Sequence, residues 1–133
     1  MSITESTPIF GANFERFMSF LQDAGAGPAT ISPRRFGQVL DVDMHTLAAS
    51  AHVHRNTISR APSAESVQRY LRESVQVLCA AADLSGSVEN AIFWFKNDPL
   101  PTFDCKTPQD LVSEDRTKAL IRYIQSLKAG FTG

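Results

Sequence analysis

The sequence predicts an all-α protein, on three observations. Apolar residues recur at the three- and four-residue spacing that lines one helix face, in one segment after another. Pro, Gly and small polar residues punctuate those segments where helices start and stop. No stretch alternates apolar and polar residues over the length of a strand. At 133 residues the chain can bury one modest core or two very small ones. Its 43% hydrophobic and 20% charged residues are ordinary globular usage, which excludes collagen-like and disordered classes. No apolar run approaches the roughly 18 residues that span a bilayer. Residues 1–22 also lack the basic start and apolar centre of a signal peptide, so a cytoplasmic location away from membranes is expected.

Phe10, Phe14, Phe17 and Leu21 line one face of a first helix, which residues 25–28 end. Ser32 caps a second helix with Pro33 at its first position and Ile31 placed to staple onto Phe36; Phe36, Val39 and Leu40 form its apolar stripe. Short helices are expected over about 44–51 and 55–60, before Ala61-Pro62-Ser63 breaks the chain. Ser63 is expected to cap a long helix carrying Val67, Tyr70, Leu71, Val75, Leu78 and Ala82, which stops at Ser85-Gly86-Ser87. A helix over about 88–97 should bury Ala91, Ile92, Trp94 and Phe95, and Asp98-Pro99-Leu100-Pro101 cannot prolong it. Thr107-Pro108-Gln109-Asp110 reads as a capping-box start. A last helix over about 116–128 presents Leu120, Tyr123, Ile124 and Leu127 on one face and ends at Gly130. The expected organisation is an N-terminal helical extension over 1–30, a helix-turn-helix DNA-binding domain with a long connecting helix over 31–85, and a small helical domain over 86–133.

The net charge of −1 argues against a nucleic-acid partner, but its distribution argues for one. Residues 32–72 carry Arg34, Arg35, Arg55, Arg60, Arg69 and Arg72 against Asp41, Asp43 and Glu65, while 73–103 are net acidic. That is the pattern of one face meeting phosphates, although a solvated Arg-rich surface has the same count. Within it lies a sharper motif, residues 46–60. A helix-turn-helix needs a small residue where its helices cross, a turn residue that tolerates a left-handed backbone, and a second helix with buried aliphatics and outward polar groups. Ala48, His52, and Leu47, Val53 and Ile58 fill those roles. His54, Arg55, Asn56, Thr57, Ser59 and Arg60 are left as the candidate DNA-binding set. Arg reads guanine and Asn adenine bidentately, and Ser and Thr hold phosphates. His52 stands where glycine is commonest, and a plain αα-hairpin with a polar outer face fits the same residues.

A second constellation follows. Ala91 and Trp94 close a helix, Asn97 and Pro99 bracket a turn, Thr107-Pro108 opens a helix continued by Leu111-Val112, and an amphipathic helix runs to Gly130. This order and spacing resembles the C-terminal toxin-binding domain of Xre/MbcA/ParS antitoxins; with the upstream motif, the likeness covers roughly residues 32–130. Many relatives carry Gly-Gly or similar small residues before Thr-Pro, where this chain has Phe103-Asp104-Cys105-Lys106, and keep a Gly near the turn where it has Ser113-Glu114-Asp115. The resemblance implies an Xre-like helix-turn-helix bundle that represses the operon through operator DNA. It further implies a small helical domain that occludes the active site of a cognate RES-domain toxin, an NAD-consuming enzyme. A homodimer or a toxin–antitoxin hetero-oligomer is expected. Basic side chains and an aromatic anchor suit a cleft built for an anionic dinucleotide, so Lys106, Arg116, Arg122, Tyr123, Lys128, Phe131, Thr132 and Gly133 are the candidate toxin contacts.

Catalysis is not expected, because no nucleophile–base pair, carboxylate pair or glycine-rich phosphate loop is legible. His45, His52 and His54 lack the spacing of a metal site, so neither metal nor cofactor is expected. Cys79, expected to be buried, and Cys105 have no CxxC partner and read as free thiols. The rival reading is a stand-alone helix-turn-helix regulator whose C-terminal helices dimerise or bind a ligand.

Overall fold

A computed structural model describes residues 7–22 and 30–132, with side chains through 130. The helices are α1 (Phe14–Leu21), α2 (Pro33–Leu40), α3 (Met44–Ser50), α4 (Arg55–Arg60), α5 (Glu65–Ser85), α6 (Val88–Asn97), α7 (Pro108–Ser113) and α8 (Thr117–Thr132), with a 3-10 turn at Pro101–Phe103. The chain is all-α: among the described residues extended pairing is limited to the isolated bridges Gln22–Ile31 and Leu100–Lys106. No helix is long and apolar enough to cross a membrane.

Side-chain caps start most of these helices where the sequence places them. Ser32, Ser87 and Thr107 accept from the N–H groups of Arg35, Asn90 and Asp110, and Asp110 returns the bond to Thr107. Each cap supplies an acceptor to an amide that has no partner inside its helix. Three boundaries differ from expectation. Phe10 lies outside α1, because Asn13 caps that helix at Phe14; its ring still packs edge-on against Phe17 at 5.3 Å. α5 begins at Glu65 behind Ala64 with no side-chain cap, so Ser63 does not perform that role. α8 begins at Thr117 and passes Gly130 to reach Thr132, since nothing crowds Gly130 and its backbone keeps helical geometry. The expected end of α1 over residues 25–28 lies outside the described residues.

α5 is the axis of the molecule. Val67, Leu71, Val77 and Leu78 are wholly buried, and α2, α6, α7 and α8 all pack on it. Phe95 of α6, Leu111 of α7 and Leu120 of α8 close the same core. Ile92 and Trp94, expected inside, are half-buried, as are Val39, Val53, Tyr123 and Leu127.

One buried amide organises the junction between α1, α2 and α5. Gln68 is 4% exposed. It accepts from the Ile31 N–H at 2.9 Å and donates to the carbonyls of Ile31 at 2.8 Å and Pro62 at 2.9 Å. Removing a partner from buried backbone groups costs about 1–3 kcal/mol for each group orphaned. Gln68→Ala should therefore lower unfolding free energy by roughly 2–4 kcal/mol, read as a lower urea midpoint with an unchanged slope.

A second link ties the N-terminus to α6. The Glu89 carboxylate accepts from the N–H groups of Phe10 at 2.8 Å and Gly11 at 3.0 Å, and the Val88 N–H donates to the Gly11 carbonyl at 2.7 Å. Partial burial opposes ionisation of Glu89, but the hydrogen bonds it accepts, those from the Phe10 and Gly11 amides first, outweigh it and hold its pKa below the ordinary glutamate value. A carboxylate whose pKa is depressed on folding stabilises above its unfolded pKa, and the contribution disappears as pH falls through the folded value. Glu89→Gln should thus lower stability at pH 7 and match the parent more closely below about pH 4. Urea melts at the two pH values measure this; an equal deficit at both would remove the carboxylate's charge from the account.

Candidate nucleic-acid interface and C-terminal surface

Asp43 caps α3 by accepting the Thr46 N–H at 2.7 Å, and that backbone bond, with the Thr46 hydroxyl, lowers the carboxyl's pKa. Leu47 and Ala48 bury the inner face of α3. The helix then closes on a Schellman pattern: the His52 N–H bonds the Ala49 carbonyl at 3.1 Å and the Val53 N–H the Ala48 carbonyl at 3.0 Å. This requires a left-handed residue, and His52 has φ 59°. The turn position inferred from sequence is therefore left-handed despite lacking glycine. Its strain is held from outside, because His52 Nε2 lies 2.7 Å from the Ser113 carbonyl at the end of α7. Ser113 Oγ also donates to the Ser50 carbonyl at 2.6 Å, which fastens the end of α3 to α7.

α4 is a single and a half turns of helix, buried through Ile58. Arg55, Asn56, Ser59 and Arg60 are exposed and occupy one arc of its surface. Among the described residues neither arginine is in an ion pair. Two members of the candidate set are placed differently. His54 is exposed, but its Nδ1 accepts the Asn56 N–H at 3.1 Å and caps α4, and Thr57 is half-buried.

Sequence reasoning counted Arg34 and Arg35 in the basic segment without placing them at an interface. They stand in the first turn of α2 and line a cleft of about 530 Å³ shared with Ser59 and Ile58 of α4. Arg35 stacks 5.1 Å above the Phe20 ring and donates to the Phe20 carbonyl at 3.0 Å, which fixes its stem. Ser59, from the polar arc of α4, and the start of α2 therefore border one cleft, and Arg55, Asn56 and Arg60 lie outside its lining. The charge count was the available signal; only the fold brings residue 34 beside residue 59.

The C-terminal candidates divide. Phe103 is the hub of one group: Arg116 lies 5.2 Å over its ring and Tyr123 meets it edge-on at 5.7 Å. Lys106, three residues on, holds both oxygens of Glu114 at 2.7 Å. Arg122 is exposed nearby on α8. Lys128 belongs elsewhere, paired with Asp83 of α5 at 2.9 Å. Phe131 and Thr132 form the last turn of α8, and Gly133 lies outside the described residues. Cys79 and Cys105 are both exposed free thiols, so the expectation that Cys79 is buried fails: it sits on the outer face of α5. No group of His, Cys, Asp and Glu that could hold a metal ion occurs among the described residues.

No protein-family model matches the chain, and comparison with curated proteins and with solved structures finds no match.

Proposed function

We propose that this chain is a DNA-binding antitoxin of the Xre/MbcA/ParS type, which represses its operon through α3 and α4 and occludes a RES-domain, NAD-consuming toxin with its C-terminal helices. The observation that carries the proposal is the outward arc of Arg55, Asn56, Ser59 and Arg60 on a helix set behind a Schellman turn, with Ser59 sharing a cleft with Arg34 and Arg35. In this reading α4 enters the major groove, Arg55 and Asn56 meet base edges, and Arg34, Arg35, Ser59 and Arg60 meet phosphates. His54 acts as the cap that orients Asn56 rather than as a base contact.

Backbone geometry supports the same reading at positions where side chains depart from the resemblance. Asp104 and Cys105 have φ of 57° and 63°, and Asp115 has φ 64°. These are conformations that glycine adopts without cost. They fall in the two loops where the relatives keep glycine or small residues, so the loop paths suit the family even though the residues differ. The surface around Phe103, with Lys106, Arg116, Arg122 and Tyr123, is the proposed toxin contact; Lys128, paired with Asp83, and the end of α8 form a second proposed contact apart from it.

The test is co-expression with the product of the adjacent gene, followed by an NAD-consumption assay. A RES-like neighbour that co-purifies with this chain, and whose NAD consumption it suppresses, is the expected result. A neighbour of another kind, with this chain running only with itself, favours the stand-alone regulator.

A further inference from the structure

α4 packs mainly on α3, so its placement follows the turn between them. The backbone bonds that close α3 use the carbonyls of Leu47, Ala48 and Ala49 and leave that of Ser50. A residue of another helix takes it: Ser113 Oγ, at the end of α7, donates to the Ser50 carbonyl at 2.6 Å. The carbonyl of Ser113 in turn accepts from His52 Nε2 at 2.7 Å, and because a carbonyl only accepts, the ring carries its proton on that nitrogen. Ser113 thus grips the turn on both sides of Ala51. What it holds is strained. His52 has φ 59°, a conformation in which a β-carbon crowds the following carbonyl. The strain of one such residue is comparable with the net contribution of one or two hydrogen bonds, so loss of the Ser113 hydroxyl leaves the turn only marginally held.

The anchor is itself fixed independently of what it holds. Ser113 leads into a second Schellman turn, in which the Asp115 N–H bonds the Val112 carbonyl at 3.1 Å and the Arg116 N–H the Leu111 carbonyl at 2.8 Å, with Asp115 at φ 64°. Thr117, 7% exposed, then donates to Glu73 of α5 at 2.7 Å. None of these bonds involves α3 or α4, so α5, α7 and α8 place Ser113, and Ser113 passes that placement to the turn. We infer that Ser113 is a positioning residue for DNA reading: it lies outside the α3–α4 pair and sets the pose of Arg55 and Asn56 by holding the left-handed turn at His52. It acts through that turn rather than through a DNA contact, and the inference rests on the DNA-binding reading above.

The test is a double-mutant cycle, read by fluorescence anisotropy on DNA from the chain's own upstream region and on scrambled DNA. Ser113→Ala should weaken binding to upstream DNA about three- to tenfold, the equivalent of one hydrogen bond. Affinity for scrambled DNA rests on phosphates and tolerates a looser pose, so it should stay within about twofold. Ser113→Thr keeps the hydroxyl and should bind upstream DNA like the parent. The deciding arm is His52→Gly, since glycine adopts the left-handed turn without cost. In that background Ser113→Ala should weaken binding less than about twofold, because the two positions are coupled. Circular dichroism and urea melts of each variant confine the comparison to folded protein. An equal loss in both backgrounds overturns the inference, because Ser113 then supports the fold at large and not the turn. Folded Ser113→Ala protein with parental affinity also overturns it. A parent chain that leaves upstream DNA unbound is a separate failure, which removes the DNA-binding reading and the positioning role with it.

Discussion

Arg55→Ala combined with Asn56→Ala is expected to remove specific operator binding while leaving the fold and toxin neutralisation intact. Each bidentate base contact is worth about 1–3 kcal/mol of discrimination, so the pair should cost roughly 2–6 kcal/mol, an affinity loss between about 30-fold and about 25,000-fold. Both side chains are exposed and neither supports the core, so the thermal midpoint should move little. Arg34→Ala differs in kind. It removes a proposed phosphate contact, so it should weaken binding to all DNA sequences about equally and make the salt dependence shallower. Gel-shift titrations against operator and scrambled DNA separate the two behaviours. Unchanged operator affinity in the double variant would take Arg55 and Asn56 out of the groove.

The second large effect concerns the core that both halves share. Phe95 is wholly buried on α6. Its replacement by alanine should cost about 3–5 kcal/mol through lost apolar burial and the cavity left behind. The loss should reach the DNA-binding end. α5 packs on α2 as well as on α6, α7 and α8, Glu89 holds the Phe10 and Gly11 amides, and His52 and Ser50 are bonded to Ser113. Phe95→Ala is therefore expected to shift a single unfolding transition and to weaken DNA binding at temperatures where the parent is folded. Two transitions in calorimetry, the lower alone displaced, would mean that 31–85 and 86–133 fold independently.

Local chemistry made much of this fold readable. Pro33 behind Ser32, the Ser87 cap and the Thr107–Asp110 box each act within four residues, so α2, α6 and α7 begin where the spacing predicts. α4 is recovered for the same reason, bounded by a Schellman turn before it and Pro62 after it. Long-range partners were not readable. Gln68 looks like any polar residue on a helix until Ile31 and Pro62 are folded against it, and Glu89 looks like a first-turn acid until residues 10 and 11 reach it. The exposure of Cys79 was misread because its helix is apolar on most sides, and burial of one position depends on which neighbour the fold places there. At the candidate interface the polar set of α4 was legible residue by residue. The contribution of Arg34 and Arg35 was not, since it depends on the packing of α2 beside α4.

The central claim is that α4 and the start of α2 form a basic surface that reads DNA. It is tested most directly by fluorescence-anisotropy titration of the chain against DNA from its own upstream region at two salt concentrations. Phosphate contacts release counterions, so affinity should fall steeply as salt rises, with a logarithmic slope on the order of −3 per protomer. Binding that is negligible at both salt concentrations, or that does not change between them, would contradict the account.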